Sequence, residues 1–302
     1  TPDRPMRIPS ATSGKARSAG EAISLMCAGI FCIVVNDALA KWFVGHYPPL
    51  QIIFMRNLLA TPMIAVIVLS IGGRAALRTR HLGLHAVRGL LLVCGAYAFY
   101  VGLGILPLAE ATSLIFAAPI FITALSVPLL REKVGWRRWA AVIVGFIGVL
   151  IVVRPGAAAF QPASLFVLVT ALVYALVMIS ARWIGRGEGM WTMMFYLMLF
   201  PTIFSGLIVP LTWQPLQMSH LPLFLAMAVF GALGMALISQ AFRLGEAAVV
   251  APFDYTALIW ASLLGWLVWG EIPGLWTYAG AAVIVASGVY IVLRETGKAR
   301  AD

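Results

Sequence analysis

Residues 106–154 read LPLAEATSLIFAAPIFITALSVPLLREKVGWRRWAAVIVGFIGVLIVVR, and residues 243–294 read RLGEAAVVAPFDYTALIWASLLGWLVWGEIPGLWTYAGAAVIVASGVYIVLR. Each stretch holds two apolar spans joined by a short turn, and the second repeats the landmarks of the first. This duplication predicts that one structural unit is written twice. The paired landmarks, at offsets of 136 to 141 residues, are Lys41-Trp42 with Arg182-Trp183, Pro62 with Pro201, Glu110 with Glu246, Glu132 with Glu271, and Arg154 with Arg294.

Each copy contains five apolar spans, because the chain holds ten stretches near the roughly 20 residues that a membrane helix needs. With 62% hydrophobic and 11% charged residues, the composition is far from that of a soluble domain. We therefore predict an all-α polytopic membrane protein with ten transmembrane helices in two five-helix repeats. The ten stretches are 21–43, 50–71, 88–106, 108–130, 136–153, 163–184, 190–211, 221–242, 246–269 and 274–293.

An odd number of spans per copy inverts the second repeat relative to the first. The prediction divides the chain into a cytoplasmic tail at 1–20, a first repeat at 21–154, a second repeat at 155–294 and a cytoplasmic tail at 295–302. Inverted repeats around a site near the bilayer midplane are typical of alternating-access transporters. The duplication is thus the strongest functional signal in the chain.

The net charge of +10 is concentrated in alternate loops. If the N-terminus is cytoplasmic, 18 of the 21 Lys and Arg residues lie on the cytoplasmic side, as the positive-inside rule requires. This pattern predicts a multi-pass protein of a bacterial-type inner membrane, with both termini cytoplasmic and span 1 as an uncleaved insertion signal. It also argues against nucleic acid as the partner of the basic residues.

Three ionisable residues lie inside predicted spans, where charge is costly: Asp37, Arg56 and Asp254. Asp37 precedes the turn at 45–49 by eight residues and Arg56 follows it by seven, so both lie about 10–12 Å below the helix ends. An ion pair between them either fixes span 1 to span 2 or forms a charge cluster that binds a substrate carboxylate or exchanges a proton. Asp254, without a basic residue at its depth, either contacts substrate or a proton or is a neutral hydrogen-bonded core residue.

Aromatic and polar side chains form a second set of candidates for substrate contact, with core or interface packing as the alternative role. Tyr97 and Tyr100 share a face of span 3 through their i, i+3 spacing. The substrate-binding candidates beyond the three charges are Tyr97, Tyr100, Phe116, Tyr174, Gln240, Tyr255 and Trp260.

Other motifs indicate scaffold contacts rather than bound cofactors. Glycines in spans 5 and 10 predict close helix packing, either as scaffold or as the interface of a homodimer. Cys27, Cys32 and Cys94 lie in apolar spans without CxxC spacing, and the histidines fall in or beside loops, so neither a zinc site nor a disulfide is predicted. We expect no catalytic residue, no metal and no cofactor, and we expect a small-molecule substrate and the lipid bilayer as partners.

The segment NDALAKWFVGHYPPLQIIFMRNLLA at 36–60, together with LLREKVGW at 129–136 and VWGEIPGLW at 268–276, resembles the EamA-type branch of the drug/metabolite transporter superfamily. The resemblance implies a ten-helix inner-membrane transporter, commonly an exporter of amino acids or other metabolites. It also implies a cavity lined by spans 1–4 and 6–9, with spans 5 and 10 outside. The second copy departs from the first, since Arg56 aligns with Phe195, so a charged site would be asymmetric.

The leading hypothesis is a carrier that exports small zwitterionic metabolites, such as amino acids including aromatic ones, by alternating access. Arg56 would meet the substrate carboxylate, Asp37 its amine, and the aromatic residues its side chain. Uptake of an adenosyl-methionine-like metabolite is the alternative, implied by relatives that look similar around DALAKWF and the following arginine. A membrane enzyme acting on lipid would need a catalytic nucleophile or a His/Asp pair at membrane depth, and no histidine lies there. A scaffold that transports nothing would leave the three charges inside the spans without a role.

Overall fold

The computed structural model describes residues 11–73, 77–131, 134–156, 160–184, 188–245 and 247–299. Within these residues every regular element is helical, which confirms the predicted all-α class. Two of the repeat landmarks, Glu132 and Glu246, lie outside the described residues. The α-helices are α1 (Ala11–Val44), α2 (Pro49–Gly72), α3 (Leu82–Leu103), α4 (Leu108–Ile115), α5 (Ala118–Leu130), α6 (Trp136–Val153), α7 (Ala163–Ile184), α8 (Met190–Ile208), α9 (Leu221–Leu244), α10 (Ala247–Val250), α11 (Ala257–Trp269) and α12 (Leu275–Ala299).

Among the described residues, eight helical stretches are long and apolar enough to cross a membrane, whereas the sequence predicts ten. The apolar parts of α6 and α12 are shorter, at Trp139–Val153 and Leu275–Tyr290, although both helices lie where spans 5 and 10 are predicted. Two arginines in the first turn of α6, at 137 and 138, shorten its apolar part. The protein is therefore a multi-pass helical membrane protein, and the count of ten spans stays a prediction.

Helix α3 begins at Leu82, six residues before the start of span 3 that the sequence predicts. The first turns of α3 contain His85 and Arg88, which are only 1% and 2% exposed. The sequence places His85 beside a loop, but the structure buries it inside the helix, because Glu188 and Tyr196 of the second repeat pack against its ring. The helix thus begins before the predicted span, and its first turns pack against the second repeat.

The helix contacts obey the symmetry that maps one repeat onto the other. Span 1 (α1) packs against span 8 (α9), and span 3 (α3) packs against span 6 (α7). Three further contacts pair a span with its own repeat mate: α2 with α8, α4 with α11, and α6 with α12. Exchanging the two halves leaves this set of contacts unchanged, as an inverted two-repeat architecture requires.

Helices α6 and α12 approach each other backbone to backbone through glycine. A Cβ atom on Gly280 would lie 2.7 Å from the carbonyl oxygen of Gly148, and a Cβ on Gly148 would lie 3.0 Å from that of Gly280. In the same seam, the Ser287 hydroxyl donates a hydrogen bond of 2.6 Å to the Ala141 carbonyl. The small-residue faces predicted for spans 5 and 10 therefore pack against each other within one chain. The homodimer through the same spans stays a prediction.

Spans 4 and 9 are each interrupted by irregular backbone beside an Ala-Pro pair. Span 4 is divided into α4 and α5 at Phe116-Ala117, just before Pro119. Span 9 passes from α10 through a 3₁₀ segment, Ala251–Thr256, to α11, with Pro252 in the 3₁₀ segment. Proline has no N–H to donate, so the helical hydrogen bond to the carbonyl four residues earlier is lost. Irregular backbone at membrane depth is tolerated where it lines a cavity.

Candidate functional site

The two repeats enclose a cavity of three adjoining lobes that share Asp37 and Tyr174. The aromatic lobe has a volume of about 450 Å³, the methionine lobe about 340 Å³ and the side lobe about 230 Å³. Spaces of this size accommodate a small metabolite. The lining includes Phe99, Phe116, Asp254 and Tyr255 in the aromatic lobe, Asn36, Arg56, Met178, Met194, Met198, Met227 and Met235 in the methionine lobe, and Arg56, Phe99, Tyr100 and Thr170 in the side lobe.

Asp37 on α1 and Arg56 on α2 face the same space but do not form the ion pair that the sequence suggests. Their charged atoms are not within 4.0 Å of each other. Asp37 accepts a hydrogen bond of 3.0 Å from Asn36 Nδ2. Arg56 donates to the Tyr100 hydroxyl at 3.1 Å and to Asn57 Oδ1 at 3.2 and 3.3 Å. Since neutral partners hold both charged groups in place, each keeps the capacity to bind an ionic ligand.

Asp254 lies on the 3₁₀ segment of span 9 and is exposed to the aromatic lobe. Its carboxylate has no hydrogen bond or ion pair with any residue that the structure describes. The neighbouring Tyr255 ring packs edge-on against Phe116 with centroids 4.9 Å apart, and its hydroxyl occupies the space that a Cβ on Gly288 would fill. The arrangement is therefore not that of a hydrogen-bonded core carboxyl, and Asp254 is open to a ligand.

Asn36 and Asn57 complete the polar wall of the methionine lobe, and neither is among the residues predicted from the sequence to bind substrate. Asn36 is 5% exposed, and its Oδ1 atom has no hydrogen-bond partner among the described residues. Gly231 leaves space beside it, since a Cβ there would lie 3.2 Å from Oδ1. A buried acceptor without a donor is costly. The sequence feature that could have indicated both asparagines is their position, because each directly neighbours a charged residue inside an apolar span.

Seven of the ten predicted contact residues line the cavity, and three lie elsewhere. Tyr97 is 41% exposed whereas Tyr100 is 2% exposed, so their shared spacing does not place both on one wall. Trp260 packs edge-on against Phe31 with ring centroids 5.0 Å apart, and neither it nor Gln240 lines the three lobes. The seven lining residues are Asp37, Arg56, Tyr100, Phe116, Tyr174, Asp254 and Tyr255.

On one side of the cavity, where α1 ends and α2 begins, polar contacts join the two repeats. Lys41 Nζ donates to Glu271 Oε1 at 2.5 Å, and Glu271 Oε2 accepts the Leu108 N–H at 2.9 Å. We call this group of contacts the Lys41 set, and the distribution of basic residues predicts that it faces outward. Its other bonds join Lys41 to the Leu106 carbonyl at 2.6 Å, Gln51 Nε2 to the Gln214 carbonyl at 2.8 Å, the Gln214 N–H to Gln51 Oε1 at 2.9 Å, and Tyr47 to His220 at 2.8 Å.

On the opposite side, Glu188 before α8 joins the second repeat to the first. Its carboxylate accepts hydrogen bonds from His85 Nε2 at 2.7 Å, from the Arg80 N–H at 3.1 Å and from the Thr79 hydroxyl. Burial alone would raise the pKa of Glu188, but these hydrogen bonds outweigh it and hold the pKa below its ordinary value. We call these contacts the Glu188 set. The cavity thus has polar contacts between the repeats on both sides.

Replacing Glu188 with glutamine is expected to lower the free energy of unfolding by about 2 kcal/mol at neutral pH, because charge-assisted hydrogen bonds are lost from a side chain only 7% exposed. Since the folded-state pKa is lowered, the carboxylate stabilises the protein above the ordinary value of about 4.3. That stabilisation is lost as the pH falls through the lowered pKa. Thermal melting of both forms between neutral and acid pH measures the difference.

The exposed Glu21, on the helix α1, provides the matched control for this prediction. Glu21→Gln removes the same charge without removing a buried hydrogen-bond acceptor, so its melting curve should follow the wild type at every pH. A Glu188→Gln variant that melts like Glu21→Gln at neutral pH would show that the Glu188 set contributes nothing to stability.

Comparison with known proteins assigns the same family model to both halves of the chain. Residues 20–154 and residues 161–294 each match the EamA-like transporter family. A solved structure that covers 90% of this chain and 98% of its own shares the fold, with a TM-score of 0.60 and 19% identity. The family resemblance and the two-repeat architecture are therefore confirmed.

Three curated relatives show the range of activities in proteins similar to this chain. The S-adenosylmethionine uptake transporter of Rickettsia prowazekii is 27% identical over 86% of this chain and 88% of that protein. The riboflavin transporter of Vibrio cholerae is 32% identical over 93% of this chain and 95% of that protein. The pseudopaline exporter of Pseudomonas aeruginosa is 25% identical over 88% and 94%. All three are named as transporters, and none as an enzyme.

Proposed function

This chain belongs to the EamA-like transporter family, and we propose that it is an alternating-access carrier that imports a metabolite of the S-adenosylmethionine type. Such a substrate combines a flat aromatic ring, a carboxylate, an ammonium group and a second cationic centre. The observation that carries the proposal is the balance of charge in the cavity. It supports a cationic zwitterion as the substrate over the neutral amino acids that the sequence favours.

Among the residues that the structure describes, the charged groups lining the cavity are two carboxylates and one guanidinium: Asp37, Asp254 and Arg56. With both carboxylates ionised, the cavity carries one negative charge in excess. None of the three forms a salt bridge with another described residue, so each is available to a bound ligand of opposite charge. A substrate with two cationic centres and one carboxylate gives each of the three groups a partner of opposite charge, and a buried charge without a partner is costly.

The apolar parts of the cavity suit the ring of such a substrate. The aromatic lobe offers the Phe116 and Tyr255 rings beside Asp254. The methionine lobe offers five thioether side chains beside Arg56, and polarizable sulfur makes favourable contacts with aromatic rings. The two lobes meet at Asp37 and Tyr174, so one molecule can place charged groups at the junction and its ring in either lobe.

The polar contacts on the two sides of the cavity support alternating access. The Lys41 set and the Glu188 set each bond the first repeat to the second, so opening the cavity to one side requires that one set break while the other persists. The broken helices of spans 4 and 9 supply irregular backbone between the two sets, where a change of backbone angle is absorbed without unfolding a continuous helix. A concentration gradient or an ion gradient would drive the cycle.

The test of the proposed function is counterflow in proteoliposomes loaded with one unlabelled metabolite at a time. Labelled S-adenosylmethionine is expected to enter vesicles loaded with S-adenosylmethionine. Labelled phenylalanine and riboflavin are expected to exchange weakly or not at all. No exchange of S-adenosylmethionine, with robust exchange of either of the others, would refute the proposal.

Export of amino acids is the second candidate, because Asp37 and Arg56 by themselves complement the ammonium and carboxylate of a simple amino acid. The two candidates differ in whether Asp254 is needed. An amino acid with an uncharged side chain has only one cationic group, so nothing in it pairs with Asp254 once its ammonium group pairs with Asp37. The proposed substrate has a second cationic centre that does. Exchange of phenylalanine that persists in an Asp254→Asn variant would therefore favour this second candidate.

The Asp254→Asn variant is expected to lower exchange and net uptake of S-adenosylmethionine together, by about tenfold or more, because one cationic centre loses its partner. The substitution is nearly isosteric, so thermal melting should be unchanged. If Asp254 instead carries a coupling proton, uptake driven by a pH gradient is lost while exchange continues. Wild-type values in both assays would mean that the residue binds neither substrate nor proton.

The proposed orientation places both termini in the cytoplasm of a bacterial-type inner membrane. A single cysteine at position 219, in the predicted outer loop, should react in intact cells with a thiol reagent that does not cross the membrane. A single cysteine at position 78, in a basic loop, should react only after permeabilisation. The native Cys27, Cys32 and Cys94 are replaced by serine in both variants. Labelling with the reverse sidedness would invert the orientation and the predicted faces of both contact sets.

A further inference from the structure

A shallow groove on the outer surface of the α6–α12 pair lies away from the cavity. It has a volume of about 380 Å³. Its floor is the seam of small residues where the Ser287 hydroxyl bonds to the Ala141 carbonyl. Its lining residues are Trp136, Arg137, Ala140, Ala141 and Val144 of α6 and Ala286, Ser287 and Tyr290 of α12.

We infer that this groove binds an anionic phospholipid from the leaflet on the basic side of the membrane, with an acyl chain along the seam and the phosphate against Arg137. The inference concerns a lipid-facing surface, and it is independent of the substrate proposed for the cavity.

The apolar part of the groove has the dimensions of an acyl chain binding site. From Trp136 to Val144 the helix rises about 12 Å, which is most of the roughly 15 Å of hydrocarbon in one leaflet. The adjoining surface of α6 is apolar and exposed, with Ile143 at 59% and Phe146 at 50%. This surface therefore lies at hydrocarbon depth, and small residues along the seam make it concave.

The entrance of the groove carries the positive charge that an anionic headgroup requires. Arg137 and Trp136 are both exposed, and the guanidinium carbon lies 5.3 Å from the centre of the indole ring. No salt bridge occupies Arg137 within the part of the chain that the structure describes. The linker REKVGWRR at 131–138 contains four basic residues and one acidic residue. Basic pockets between membrane helices on this side bind anionic headgroups, and exposed tryptophan is typical of headgroup depth.

The same charge disfavours a second copy of the chain as the occupant. In a parallel dimer through α6 and α12, the Arg137 side chains and basic linkers of both copies would face one interface on one side of the membrane. Like charges held together in this way are destabilising. A phospholipid phosphate neutralises them instead.

Native mass spectrometry of the full chain in a neutral detergent tests the inference, with phosphatidylglycerol and phosphatidylcholine as probes. The wild type is expected to retain one phosphatidylglycerol molecule in preference to phosphatidylcholine. Arg137→Gln should weaken phosphatidylglycerol binding about fivefold, because one basic residue near an anionic headgroup is lost. Arg243→Gln removes an exposed basic residue at the end of α9, outside the groove, and should change nothing.

A second variant distinguishes the groove from the basic surface around it. Ala140→Phe keeps every charge but fills the groove, so it should also reduce retention of phosphatidylglycerol. Equal losses in Arg137→Gln and Arg243→Gln would show attraction to net charge alone and would overturn the inference. Full binding by Ala140→Phe, or a lipid-free dimer in the wild type, would overturn it as well.

Discussion

Uptake of S-adenosylmethionine into proteoliposomes is expected to fall about a hundredfold when Asp37 is replaced by asparagine, because removing one partner of a buried charge pair costs several kcal/mol. Asp37 borders all three lobes of the cavity, so a substrate in any one of them lies in a space that this carboxylate lines. The asparagine keeps a hydrogen-bonding oxygen at the same position but cannot neutralise a cation. Initial rates over a range of substrate concentrations give the loss in kcat/KM.

Asp37→Glu is the matched control for this variant, since it keeps the charge and changes only the reach of the side chain. It should retain more activity than Asp37→Asn. Adding Arg56→Gln to Asp37→Asn should not restore transport, because the two residues are not ion-paired in the structure. Recovery in the double variant would show that the pair forms during the cycle and that its role is structural. Wild-type kinetics in Asp37→Asn would remove Asp37 from the binding site.

Gly280→Ala is expected to lower the free energy of unfolding by about 3 kcal/mol or to prevent folding, because overpacking against a rigid neighbour cannot be relieved locally. The added Cβ would lie 2.7 Å from the Gly148 carbonyl oxygen and 2.5 Å from the Val152 side chain. The carbonyl belongs to the backbone of α6, so the whole helix would have to move. Melting of the purified protein, together with the yield of folded protein, measures the effect.

Gly83→Ala provides the comparison, because Gly83 also lies in a helix and a Cβ there would meet nothing within 4 Å. Alanine is favoured over glycine in a helix by up to about 1 kcal/mol, so this variant should melt at or slightly above the wild-type temperature. Similar melting of Gly280→Ala and Gly83→Ala would mean that the two helices are not packed through glycine.

Most of the fold could be predicted from the sequence because its signals are local. Apolar length locates each helix, and the recurrence of landmarks such as Lys41-Trp42 reveals the repeat. The start of α3 could not be predicted in the same way. His85 is buried by Glu188, which lies 103 residues later in the sequence, and no local sequence pattern predicts a partner so distant.

The residues of the candidate site could be predicted where a residue type is unusual for a membrane helix. They could not be predicted where the role depends on which way the side chain faces. Charges inside apolar spans are conspicuous, and all three line the cavity. Tyr97 and Trp260 are ordinary for membrane helices, and whether such a ring faces a cavity, a neighbouring helix or lipid depends on the rotation of its helix. The methionine lobe could not be predicted either, because its five methionines come from three helices, α7, α8 and α9. Within the sequence of each helix, a methionine looks like an ordinary core residue.

The unequal division of charge between the repeats has a consequence for kinetics. The backbone contacts are symmetric, but Asp37 and Arg56 belong to the first repeat and Asp254 to the second. A substrate held by these groups therefore meets a different environment when the cavity opens to each face, and its half-saturation concentrations on the two faces should differ. A passive carrier with this property still equilibrates its substrate fully. The imbalance alters how fast each face loads and unloads, while the gradient alone decides the direction of net flow.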